Sequence, residues 1–234
     1  MGVDTGLSRI FGESWRLLVR NPVIVVPGIV IGLLAALLEA AVAPEPGAAP
    51  AAKIVDTVLA DIIQLLGAVA SVAFTTGMAA AAWQTGRAAF ADGWAAFARD
   101  GGQVLVALVG LLMIGTGAAF LVPFTFGLSG AAFGFFCLYV MPAAIVRERQ
   151  GFAAIRESWE IAYDRVLPTL GIVFGLFAVF LAVGVIVAFL TLAPGVGPWP
   201  ASIVGSLLVG AAIAYATLVI VGEYIASRRP GSVA

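Results

Sequence analysis

The sequence predicts an all-α polytopic membrane protein with six transmembrane helices and three amphipathic interfacial helices on the cytoplasmic side. Three observations carry that expectation. The chain is 62% hydrophobic and 11% charged, with mean hydropathy +1.10, whereas soluble domains carry about 25% charged residues and roughly half apolar ones. The charges are also unevenly placed: residues 101–146 and 166–222 carry none. Finally, the arginines fall in four short segments that separate the apolar runs.

In chain order, residues 3–20 place Leu7, Ile10, Phe11, Ser14, Trp15 and Leu18 at i, i+3, i+4 spacing, with Arg9, Glu13, Arg16 and Arg20 mostly elsewhere. That pattern fits an amphipathic helix in the headgroup region, too charged to span. Asn21-Pro22 ends it. The first span runs over 22–43, and Pro27 is tolerated near its start where neighbours satisfy the freed backbone. Ala41-Val42-Ala43 has the small-x-small form of a cleavage site. The length of the preceding region and Pro44 directly after it favour a retained helix.

A Pro-rich loop covers 44–52, and a second span covers 60–84 within a helix beginning near Lys53. Residues 87–103 form the second interfacial segment. The uncharged run 101–146 is about twice the hydrocarbon thickness at ~1.5 Å per residue. It is therefore two spans, 102–122 and 127–147, turning near Pro123–Gly127. Residues 148–165 form the third interfacial helix. The run 166–222 again divides in two, 167–192 and 201–226, at the Pro/Gly cluster 194–200. The whole chain, 1–234, reads as a single integral membrane domain.

All eleven arginines lie on one side of this topology and only Lys53 on the other. By the positive-inside rule both termini are cytoplasmic, and the expected location is a cell (inner) membrane. The three cytoplasmic segments also resemble one another. Glu13-Ser14-Trp15, Asp92-Gly93-Trp94 and Glu157-Ser158-Trp159 correspond, and Arg20-Asn21, Arg99-Asp100 and Asp164-Arg165 follow at matching offsets. The unit is an interfacial helix followed by a membrane hairpin, used three times with the same topology, unlike inverted-repeat transporters.

Over residues 136–170 the chain carries Tyr139-x-x-Pro142, Glu148-x-x-Gly151, Ala154-Ile155 and Ser158, then a proline opening the next span. In this pattern it resembles six-helix bacterial and archaeal inner-membrane proteins related to the membrane domain of glycerophosphodiester phosphodiesterases. The resemblance implies a fold. It brings no catalytic residues, since there is no phosphodiesterase domain.

The polar groups offer few chemical options. With no His and the single Cys137, a Cys/His zinc site and His-based general-base catalysis are excluded. No cofactor is expected. A net charge of −1 gives no field for nucleic acid. Asp61, Gln64, Ser71 and Thr75 share one face of span two, a stripe that either lines a solute path or bonds between helices. Gly151 fits a turn, and Glu148 fits either a headgroup contact or a solvated, Arg-paired charge. Ser158 fits a cap or helix contact. Glu223, near the end of span six, is placed to pair with an interfacial arginine. Gly28-x-x-x-Gly32, Gly130-x-x-x-Gly134 and Gly171-x-x-x-Gly175 permit close helix approach.

The expectation is a non-enzymatic membrane protein that organises or assists a membrane complex or handles lipid. Its expected partners are membrane lipids and either another protein or a second copy. A small-solute permease using the span-two stripe is the alternative. A lipid-converting enzyme would need clustered interfacial acids such as Glu148, Glu157 and Glu160, whose spacing suits a solvated helix face better.

Overall fold

A computed structural model describes residues 4–41, 50–125, 127–146, 151–192 and 198–228. Among these residues the chain is all-helical. Four helical segments are long and apolar enough to cross a membrane: Phe90–Thr125, Leu128–Val146, Val166–Leu192 and Val204–Ser227. The protein is thus a multi-pass α-helical membrane protein.

Helix α1, Asp4–Arg20, ends at Asn21, and a short 3-10 turn, Pro22–Val25, leads into α2, Val26–Ala41. The chain turns by 93° between α1 and the segment that follows. Proline at 22 cannot continue the α1 ladder, and the Asn21 side chain satisfies what the corner exposes. Its Nδ2 donates to the Leu17 carbonyl (3.0 Å) and the Gly86 carbonyl (3.3 Å), while its Oδ1 accepts from the Ala88 N–H (2.9 Å). A residue read from sequence only as a helix stop therefore joins two corners of the molecule.

Helices α3, Pro50–Thr85, and α4, Phe90–Thr125, have 36 residues each, about 54 Å of helix apiece. The turn between them contains Gly86 at φ +78°, a conformation that favours glycine. Here the structure corrects the expected segmentation. The second interfacial stretch is not a separate helix but runs straight into the next span, through Gly101 and Gly102. Glycine costs a helix only about 1 kcal/mol per position, which the packing of α4 on its neighbours outweighs.

Gly127, at φ +87°, turns the chain into α5, Leu128–Cys137. What the sequence suggests is one helix at 127–147 is two: α5 and α6, Val140–Val146, separated at Leu138-Tyr139. The remaining helices are α7, Gly151–Asp164, α8, Val166–Leu192, and α9, Pro198–Ser227. Glu148 lies outside the described residues.

Helices α2 and α3, α4 and α5, and α8 and α9 pair as hairpins; α3, α6 and α9 also contact one another. Buried side chains concentrate toward the arginine-bearing end: residues 73–82 of α3, 93–110 of α4, 139–145 around α6, 169–176 of α8 and much of α9. In the far halves of α4 and α8, and in all of α5, no described residue is buried.

Asn21→Ala is expected to lower stability by about 1–2 kcal/mol, because it removes the side-chain partner of the Ala88 N–H and of the Gly86 carbonyl. Thermal unfolding in detergent measures this; an unchanged midpoint would show that the corner is held elsewhere.

Candidate functional site

Four of the residues singled out from sequence, Tyr139, Pro142, Ser158 and Glu223, lie around the junction of α5 with α6 and the end of α9. Pro142 is the origin of the break. It has no N–H to offer the Leu138 carbonyl, and its ring would clash with that oxygen in a continuous helix. The break also leaves the Tyr139 N–H and the Phe136 carbonyl without ladder partners, a loss of several kcal/mol away from water, and Ser158 of α7 pairs with these two groups. The Tyr139 N–H donates to Ser158 Oγ at 3.0 Å, and Ser158 Oγ donates to the Phe136 carbonyl at 2.7 Å. Ser158 is fully buried. Its expected role as a cap or helix contact takes this form: one hydroxyl closes the gap in another helix.

Tyr139 is fully buried, with its hydroxyl 3.2 Å from the Thr169 hydroxyl on α8. Beside it, Arg165 Nη1 lies 2.8 Å from Glu223 Oε1, the carboxylate being 2% exposed. This is the arginine pairing anticipated for Glu223. The two atoms touch without hydrogen-bond alignment, and neither has another hydrogen-bond partner among the described residues. A second pair lies one turn on. Glu157 Oε1 accepts from the Tyr224 hydroxyl at 2.7 Å and from Arg228 at 2.6 Å. Two ion pairs of opposite sense, Arg165 to Glu223 and Glu157 to Arg228, thus bind the end of α9 to the α7–α8 corner. Tyr224, Glu157 and Arg228 were not singled out as a set. Their only sequence signal was an acid and a base five residues apart at the end of an apolar run, Glu223 and Arg228.

Gly151, also buried, begins α7 against α4. A Cβ there would run into Val106 and lie 3.0 Å from the Ala107 nitrogen, and its N–H donates to Gln103 Oε1 at 3.2 Å. Asp61 and Gln64 belong to α3, but their side chains lie outside the described ones. Of the other stripe members, Thr75 Oγ1 donates to the Ser71 carbonyl of its own helix at 2.7 Å. Gly171 and Gly175 are a cradle within the chain: Leu7 and Phe11 of α1 occupy the space their side chains would take. Gly134 has nothing within 4 Å of such a position.

The three interfacial tryptophans share one geometry. Trp15, Trp94 and Trp159 are 59%, 59% and 46% exposed, and each is preceded by a small buried residue, Ser14, Gly93 or Ser158. Each indole also meets a ring on another helix. Trp15 lies 6.1 Å from Tyr215 of α9, Trp94 lies 6.0 Å from Phe74 of α3, and Trp159 lies 5.1 Å from Phe136 of α5. For Trp94 and Trp159 the ring lies on the span before the interfacial segment, α3 and the α5–α6 segment respectively, whereas for Trp15 it lies on α9. A fuller motif was available in the sequence: residues 86–94 and 151–159 both read Gly-x-Ala-Ala-apolar-x-acid-small-Trp.

Comparison with known families, curated proteins and solved structures finds no match for this chain.

The two serines at equivalent positions predict opposite outcomes. Ser158→Ala leaves the Tyr139 N–H and Phe136 carbonyl unpaired and is expected to cost about 2 kcal/mol. Ser14 is buried with no hydrogen-bond partner among the described residues, so Ser14→Ala is expected to be neutral or slightly stabilising. Equal effects on the unfolding midpoint would contradict this assignment. For the ion pair, Glu223→Gln leaves Arg165 without its counter-charge and is expected to cost about 3 kcal/mol, whereas replacing both Arg165 and Glu223 by Leu is expected to cost less. A double variant worse than the single one would contradict the pairing.

Proposed function

We propose that this chain is a six-span, non-enzymatic protein of the cytoplasmic (inner) membrane that organises lipid, or a lipid-associated complex, at the cytoplasmic leaflet. The observation that carries this reading is the set of three exposed tryptophans, each seated by a buried small residue on an aromatic ring of a membrane helix. Indoles favour the headgroup region. The exposed Arg9, Arg16, Arg20, Arg87 and Arg156 occupy the same segments, and basic residues are drawn to an anionic leaflet at about 1 kcal/mol each. That distribution supports both termini in the cytoplasm.

Six spans follow if α2 and α3 cross as well; α3 alone has the length. The threefold repeat is supported by the shared geometry and by the polar ties between corners. Asn21 binds the α3–α4 turn, Gln103 binds the start of α7, and Arg165 binds the end of α9. On this reading the three units form a ring with α3, α6 and α9 inside, closed where α1 sits on α9. Of the residues that carry the resemblance to the glycerophosphodiester phosphodiesterase membrane domains, Tyr139, Pro142 and Ser158 lie at the α5–α6 break, and Gly151 seats α7 on α4. Kinship with that group therefore rests on a structural device.

A permease is less well supported. At the arginine-bearing end, Met78, Tyr139, Leu218 and Tyr224 are all fully or nearly fully buried between the helices, and the described hydroxyl of the span-two stripe bonds within its own helix.

Native mass spectrometry of the protein in lipid discs tests the proposal. A defined extra mass, lipid or protein, at fixed stoichiometry is expected. Substituting Trp15, Trp94 and Trp159 together by Ala is expected to remove it while the protein stays folded. A bare monomer from the unaltered protein would contradict the reading.

A further inference from the structure

Residues 86–94 and 151–159 share a motif that ends acid-small-Trp, and its acid is Asp92 in the first and Glu157 in the second. The two acids are served differently. Glu157 is buried and takes its counter-charge from this chain, with Arg228 at 2.6 Å and the Tyr224 hydroxyl at 2.7 Å. Asp92 is half-buried, and its Oδ2 accepts from the Ala89 N–H at 2.8 Å. Among the described residues no arginine or lysine pairs with it. A carboxylate offers about four acceptor sites, so one backbone N–H leaves most of that capacity unused.

Where Glu157 meets Arg228, Asp92 borders a cavity of about 260 Å³ between α3, α4 and the end of α6. Small residues make the room: Gly77, Ala80 and Ala81 on α3, and Ala95 and Ala96 on α4. Arg99, seven residues beyond Asp92 on the same face of α4, also lines it. Its Nε and Nη2 donate to Asp100 Oδ2 at 3.0 and 2.8 Å, and Nη2 also donates to the Ile145 carbonyl at 3.2 Å. These contacts set the guanidinium in place while the side chain stays 55% exposed, so a ligand in the cavity can approach it. One cavity at the arginine-bearing end thus presents a positioned cation and an acid that lacks one.

The lining selects its ligand. The volume lies just below the ~300–1,000 Å³ of pockets for drug-sized molecules, which suits a small polar group. Two carboxylates, Asp92 and Asp100, stand against one guanidinium, so a purely anionic ligand is disfavoured and a zwitterion is matched. A quaternary ammonium is held by aromatic faces, and no lining residue is aromatic. A primary ammonium instead brings three N–H donors to a carboxylate. We propose that the cavity binds the phosphoethanolamine headgroup of a membrane phospholipid, its ammonium on Asp92 and its phosphodiester on Arg99. The proposal rests on the lipid-organising reading and names the lipid class.

Native mass spectrometry in detergent, with titration of phosphatidylethanolamine, phosphatidylcholine and phosphatidylglycerol of identical acyl chains, tests this. The unaltered protein is expected to bind phosphatidylethanolamine about tenfold more tightly than the other two, the worth of a charge-assisted hydrogen bond. Asp92→Asn keeps an oxygen for the Ala89 N–H and is expected to abolish the preference. Ala95→Leu, at an exposed lining position, is expected to weaken binding by filling the cavity without removing either charge. An unchanged thermal midpoint shows that each variant is folded. Equal binding of the three lipids, a preference for phosphatidylglycerol, or a preference that survives both substitutions would overturn the site. Displacement by an equal concentration of soluble phosphoethanolamine would overturn the lipid as its source in favour of a free amine phosphate. Bound lipid that is lost on replacing the three tryptophans yet indifferent to Asp92 would remove this site and leave the lipid-organising reading standing. No lipid on the unaltered protein would remove both.

Discussion

A bilayer offers no water to a helix that breaks, and this chain breaks one. The gap at Leu138-Tyr139 is tolerable because a single buried hydroxyl, that of Ser158, accepts from one orphaned backbone group and donates to another. Much of the arginine-bearing half depends on that exchange. It fixes α7 against α5 and α6, and this places Glu157 under the end of α9. Along the same span α6 packs on α3 and α9, whereas α5 packs on α4, α7 and α8. Pro142 removes one ladder hydrogen bond beside the gap, and Ser158 partners two other groups there.

Around this point the charges are arranged for position more than for stability. A buried ion pair recovers its desolvation cost only with good geometry, and Arg165 and Glu223 meet without hydrogen-bond alignment. Two pairs of opposite sense between the same elements favour one register of the α9 end against the α7–α8 corner. The same economy appears at Asn21, where one amide serves two corners.

Much of this was legible in the sequence, at the level of type and place. The uncharged runs, the arginine segments and the Pro/Gly punctuation locate the helices, since each reflects a local cost that no tertiary contact removes. Tyr139, Pro142, Gly151, Ser158 and Glu223 stood out as residues, and four of them, all but Gly151, meet around the α5–α6 break and the α9 end. What stayed hidden needed three dimensions. The segment 87–103 read as separate from the span that follows it, yet packing carries α4 through Gly101 and Gly102. Asn21 read as a stop, because its partners lie more than sixty residues away. The rings beneath the tryptophans, Tyr215, Phe74 and Phe136, sit at different distances from their indoles along the chain, so no fixed spacing announces them. The Gly171–Gly175 pair, read as permitting close helix approach, receives α1 of the same chain.

The seat of α1 on α9 is where the account is most exposed, because no chain connection enforces it. A short bis-maleimide applied to Trp15→Cys/Tyr215→Cys in a Cys137→Ser background tests it directly. The account predicts efficient cross-linking within one chain, independent of protein concentration, with the product migrating as a monomer. Cross-linked dimers that increase with concentration, or no cross-link in a folded protein, would contradict a ring closed by its own first helix.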